Sequence, residues 1–131
     1  MITQGIQNNL IYNLYKSGCY FLSLCAIIEK VNDNPIDVLG FAQKCIDKGL
    51  ITEDFYIKDA QKLLLFGFNS KHGCVVLKAT DYPFAANYII EVWYNEDTRL
   101  THYRLQGLDT ISSSNTVRNG KLKEYRAIYV A

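Results

Sequence analysis

The chain changes its hydrophobic period near residue 70, and that switch constrains its fold more than any other feature. Before it, apolar side chains recur at helical spacing. From Cys19 they fall at Phe21, Leu24, Cys25, Ile28 and Val31, one stripe along a helix. After it, Cys74 to Ala79 is rich in β-branched residues and Tyr88 to Tyr94 reads as a strand. Arg99 to Leu105 alternates as its hairpin partner, and Tyr125 to Val130 is the final expected strand. Helices first and antiparallel strands afterwards define the α+β class. At 131 residues the chain fits one domain, 1–131, and can bury a core without disulfide or metal staples.

Within the helical half, Gln7 to Lys16 carries Leu10, Ile11, Leu14 and Tyr15 as a short apolar face. Ser17-Gly18 breaks it, and Ser17 is the expected N-cap of the helix that follows. Asn34 followed by Pro35 reads as the opening of a third helix, with Val38, Phe41, Ala42 and Cys45 as its buried face. Gly49 stands where a helix-stopping glycine belongs. Ile51 to Tyr56 is a connection, and Ile57 to Phe66 is a fourth helix ended by Gly67. Ser112 to Asn115 reads as loop.

Composition excludes several functions. The net charge is +1, so no basic surplus points to nucleic acid. No apolar run approaches the roughly 18–20 residues that span a bilayer. Met1 to Asn9 is polar, without the order of a signal peptide, so no membrane partner is expected and the expected compartment is the cytoplasm. The four cysteines, Cys19, Cys25, Cys45 and Cys74, form no C-x-x-C pair. No paired metal ligands and no phosphate loop are present, so neither metal nor cofactor is expected. Arg118, Lys121, Lys123 and Arg126 form a basic cluster read as a solvated loop, with an anionic partner as the second reading. Tyr88, Trp93, Tyr94 and Tyr103 make the hairpin aromatic, as core or as a partner-binding face.

Three stretches carry a resemblance. Gly18-Cys19-Tyr20-Phe21-Leu22-Ser23-Leu24 resembles the nucleophile helix of bacteriocin-processing-type, papain-like cysteine peptidases. Gly49-Leu50-Ile51 and Asp54-Phe55-Tyr56-Ile57 resemble a linker in small phage and mobile-element proteins of that type. Leu108-Asp109 with Ser113-Ser114-Asn115-Thr116-Val117 and Gly120 resembles their C-terminal acidic loop. The resemblance implies a papain-like fold, N-terminal helices followed by an antiparallel β-sheet, with Cys19 in the nucleophile position.

That position has a chemical rationale. A thiol at a helix N-terminus faces the positive end of the helix dipole and free backbone N–H groups, which favour thiolate and can bind an oxyanion. The family also implies an amide donor before the cysteine, usually Gln. The matching residue, six before Cys19, is Asn13, with Gln7 as an alternative only if the loop is rearranged. The family's base is a histidine that opens a sheet strand. Here Asn87 stands before Tyr88-Ile89-Ile90, and an asparagine cannot take and return a proton near neutral pH. Two readings follow. One is a catalytically impaired homologue that binds a peptide or protein partner. The other is a thiol hydrolase acting on a peptide or isopeptide bond, with Cys19 attacking, His102 as base, Asp109 orienting it and Asn13 in the oxyanion hole. Asp109 reads equally well as a turn cap, and His72 as a solvated loop residue. Oligomeric state stays open.

Overall fold

The computed structural model describes residues 4–107 and 119–131. It contains two compact units, Met1–Lys71 and His72–Ala131. The first holds α1 (Gln4–Ser17), α2 (Cys19–Asn32), α3 (Val38–Asp47) and α4 (Ala60–Gly67). The second holds β1 (Cys74–Ala79), β2 (Tyr88–Asn95), β3 (Leu100–Leu105) and β4 (Lys121–Val130). The α+β class follows directly.

The stripe on α2 is the centre of the helical unit. Phe21, Leu24 and Ile27 have no exposed surface, and Cys25 and Ile28 retain 2%. Burial on this scale contributes about 1.5–3 kcal/mol for each large side chain. The Phe21 ring packs between Phe41 of α3 and Phe55, at centroid distances of 6.0 and 5.2 Å. On α1 the apolar face is narrower than its sequence suggests: Leu10 is buried, but Ile11 is 48% exposed.

Two helix starts differ from expectation. α3 opens at Val38, not after Asn34. Residue 36 is pinned first, its N–H donating to Glu29 Oε1 at 3.0 Å. Asp37 then adopts extended backbone and caps the helix by accepting from Gly40 N. α4 opens at Ala60, not Ile57, because Ile57 is held in a β-bridge with Ile51. Asp59 supplies the cap, accepting from Lys62 N at 3.0 Å.

Gly49 behaves as expected. Its φ is 71°, and Gly49 N to Ile46 O with Leu50 N to Cys45 O closes the end of α3. Gly67 is the last residue of α4, as expected, but it does not supply the left-handed turn that closes the helix. That task falls to Asn69, at φ 53°, through Asn69 N to Phe66 O and Ser70 N to Leu65 O. Gly67 instead permits close helix packing. A Cβ there would lie 2.8 Å from Ile28 Cγ1 and closer still to its Cδ1.

The sheet is antiparallel throughout, in the order β1-β4-β2-β3. β3 and β4 therefore run in the same direction with β2 between them. The β2–β3 hairpin pairs Ile90 with Leu105 and Asn95 with Leu100. Its turn is tied by Asn95 Oδ1, which accepts from Asp97 N and Thr98 N. β4 begins at Lys121, four residues before the expected Tyr125. Register puts Ile90, Val92, Leu105 and Ile128 on one face, and all four are buried.

Candidate functional site

Cys19 is the first residue of α2, half-buried and not in a disulfide. The start of this helix is not an open end. Gly18 donates its N–H to Leu14 O at 2.9 Å and accepts from Leu22 N at 2.8 Å. The i to i−4 ladder thus runs through the junction of α1 and α2. The carbonyl end of α1 abuts the amide end of α2, and their opposite partial charges offset one another at Cys19. The thiolate-favouring field of an open helix end is correspondingly weaker. A Cβ at Gly18 would sit 2.5 Å from Leu14 O, so the junction needs glycine.

Ser17 does not cap α2; the cap position is Gly18, with no side-chain bond. The Ser17 hydroxyl lies 2.7 Å from Asp54 O and 3.1 Å from Asn13 O. Asn13 turns the same way, donating Nδ2 to Glu53 O at 3.0 Å. Both side chains brace the connection after α3 onto α1. Thr52 Oγ1 bonds Asp54 Oδ1 within that connection, and Phe55 is driven into the core at φ 65°. The amide expected at an oxyanion hole is therefore engaged with backbone.

Asn87 and His102 belong to the sheet unit. Asn87 is exposed and precedes β2. Its N–H donates to Ile128 O at 2.9 Å, and its Oδ1 accepts from Val130 N at 2.8 Å. The side chain stands in for a backbone carbonyl and prolongs the β2–β4 ladder by one step. His102 is buried in β3 opposite Trp93. Trp93 lies six positions along from Asn87, roughly 20 Å of strand. The sheet does not bring residue 87 and the imidazole together. Asp109 lies outside the described residues, as do Ser112 to Asn115 and Arg118.

The other thiols are interior. Burial pushes Cys45 up to about 12. It also raises Cys25, helped by the neighbouring Cys45 and Glu29, and it raises Cys74. These thiols stay protonated and unreactive in the folded chain.

One polar cluster escaped the sequence reading. Glu91 Oε1 accepts from Trp93 Nε1 at 2.9 Å and from Arg104 Nε at 2.9 Å, and Oε2 accepts from Gln106 Nε2 at 3.1 Å. Arg104 adds an ion pair at 2.8 Å and lies over the Trp93 ring. Tyr82 OH extends the chain to Gln106 Oε1. The signal was available: the Asn95–Arg99 turn places Glu91 opposite Arg104. The hairpin rings are likewise matched by cations, Lys123 over Tyr94 and Arg126 over Tyr103. Arg126 also pairs with Glu124 at 2.6 Å, so the basic cluster is partly neutralised.

Comparison with known families, characterised proteins and solved structures returns no match. Among the described residues, no helix is long and apolar enough to cross a membrane. Among the same residues, no group of three or more His, Cys, Asp or Glu could hold a metal ion.

Proposed function

We propose that the chain is a non-catalytic relative of papain-like cysteine peptidases that holds a peptide or protein partner. The observation that carries this is Asn87. The residue at the family's base position has its amide oxygen in a backbone ladder with Val130. The His102 imidazole, opposite Trp93 in β3, is roughly 20 Å further along the hairpin. The engagement of Asn13 with Glu53 O and the continuous ladder through Gly18 support the same reading. The alternative, a small thiol hydrolase working through Cys19, draws on the place and partial exposure of that thiol at the start of α2.

Alkylation separates the two. The full chain is treated with iodoacetamide at about pH 6, where an ordinary thiol is scarcely ionised, and each cysteine is followed by mass spectrometry. Slow alkylation of Cys19, at the rate of a free thiol peptide, is the expected result. Rapid alkylation of Cys19 alone, together with turnover of a fluorogenic peptide, would overturn the proposal in favour of the hydrolase.

A further inference from the structure

The side-chain amide of an asparagine can be attacked by the backbone nitrogen of the next residue, which closes a five-membered ring. Whether that happens depends on what holds the two groups. Asn8 and Asn9 lie within α1, where the next N–H belongs to the helix ladder. Asn13 and Asn32 donate Nδ2 to Glu53 O and Gly67 O, at 3.0 Å each. Asn87 Oδ1 accepts from Val130 N, and Asn95 Oδ1 accepts from Asp97 N and Thr98 N. Asn34 precedes Pro35, whose nitrogen carries no proton. Asn69 precedes Ser70, whose N–H is engaged with Leu65 O at 3.4 Å.

Asn119 is placed differently. It is exposed, stands in the turn before β4 and is followed by Gly120, in the one Asn-Gly pair of the chain. The ladder between β4 and β2 ends at the Tyr94–Lys121 pair, so Gly120 lies just outside it. Among the described residues, the Gly120 N–H meets no backbone acceptor. Glycine also has no Cβ to obstruct ring closure, and its backbone turns freely.

We propose that Asn119-Gly120 is a site of spontaneous covalent modification, where the asparagine converts to isoaspartate and aspartate. The Gly120 nitrogen attacks Asn119 Cγ. A C–N bond forms, the bond from Cγ to Nδ2 breaks, and the amide proton of Gly120 leaves with the nitrogen as ammonia. Water then opens the succinimide. Opening at Cγ gives aspartate on an ordinary backbone. Opening at the main-chain carbonyl gives isoaspartate, whose backbone runs through Cγ and is one methylene longer. Water is the only co-reactant. Either product carries a new carboxylate, which takes the formal charge of the chain from +1 to zero. The isoaspartyl product also lengthens the chain directly before β4, in the stretch that pairs with β2 alone. The site lies in the sheet unit and is independent of the reading of Cys19.

The test ages the full chain in mildly alkaline buffer at body temperature, beside a synthetic peptide of residues 116–123 and the full-length variant Gly120→Ala. Isoelectric focusing follows the charge, and peptide mapping with electron-transfer fragmentation locates the change and separates isoaspartate from aspartate. Asn119 should convert first, chiefly to isoaspartate. Asn69 should convert at least about tenfold more slowly, since Ser70 must give up a hydrogen bond and has a side chain in the way. Gly120→Ala should slow conversion at 119 by about tenfold. In the isoaspartyl chain, amide exchange at Lys121 and Leu122 should quicken by about threefold or more while Ala127 stays protected. Asn119→Asp, which adds the charge without the methylene, should leave that exchange unchanged. An Asn119 that stays intact while the peptide converts overturns the proposal. So does conversion of Asn69 at the same rate, or a Gly120→Ala chain that converts as fast as the parent. Exchange that quickens equally in Asn119→Asp overturns the role given to the longer backbone.

Discussion

Replacing Glu91 by glutamine should weaken the sheet unit, and the loss should depend on pH in a defined direction. Burial alone would raise the Glu91 carboxyl. The hydrogen bonds from Trp93, Gln106 and Arg104, with the Arg104 charge, outweigh burial and hold it below the usual 4.5. A depressed carboxylate contributes stability that is complete above the unfolded value and is lost as pH falls through the lower folded value. Glutamine is isosteric, but its NH₂ must oppose a donor at one oxygen position. It would face Gln106 Nε2 at the Oε2 place, or Trp93 and Arg104 at the Oε1 place. One set of charge-assisted bonds is weakened and a half-buried guanidinium loses its counter-ion, a cost of about 2 kcal/mol near neutral pH. Urea titrations can follow this by the fluorescence of Trp93, the sole tryptophan, whose indole N–H touches the altered carboxyl. The gap between the two proteins should be full near pH 7 and should close as pH falls below 4.5. A gap under about 0.5 kcal/mol at neutral pH would refute the reasoning, since that is no more than an ordinary exposed ion pair contributes. So would a gap that persists undiminished in acid.

Other perturbations probe the remaining arguments. Gly67→Ala forces a methyl against the buried Ile28 side chain and should destabilise the helical unit by about 1–3 kcal/mol, read by urea titration of far-ultraviolet circular dichroism. Asn87→Ala removes the acceptor for Val130 N. Amide exchange of Val130 should quicken by about three- to tenfold while Ile90 in central β2 stays protected, since one exposed hydrogen bond contributes about 1 kcal/mol. In the native chain, a thiol reagent at mildly alkaline pH should modify Cys19 first and leave Cys25 and Cys45 unmodified until denaturant is added, because those two are 2% and 0% exposed.

What was legible in the sequence was whatever a single element decides by itself. The stripe from Phe21 to Ile28 marked α2 because every member faces one core. Gly49 marked the end of α3 because only glycine takes a φ of 71° without strain. The start of α3 was misread because Asn34-Pro35 has the local form of a helix opening, whereas Glu29 on α2 holds residue 36 out of the helix. Gly67 ends α4 as read, but its second task was not visible. Its small size serves Ile28 on another helix, a need that helix punctuation does not express. The first half of β4, Lys121 to Glu124, carries no apolar alternation because β1 ends at the Ala79–Tyr125 pair. That stretch pairs with β2 alone, is largely exposed, and leaves the hydrophobic pattern silent.

Of the candidate site residues, the helical pattern alone placed Cys19, at the start of α2. Asn13 and Asn87 were placed by analogy with a catalytic layout. Each instead bonds a backbone group far along the chain, 40 residues away for Glu53 and 43 for Val130, and no local spacing announces such a bond. This bears on whether the chain can be made catalytic. A histidine at position 87 would meet the N–H of Val130, and the ring nitrogen accepting that bond would not be available to a thiol proton. If the ring turned away to serve as a base, the ladder step at Val130 would open and the imidazole would lose the support that orients it. Asn87→His alone should therefore give no peptide hydrolysis, measured with a fluorogenic peptide over several days, and should leave the alkylation rate of Cys19 within about twofold of the parent. Hydrolysis that appears with this one change and disappears with Cys19→Ala would show that the latch had concealed a working nucleophile.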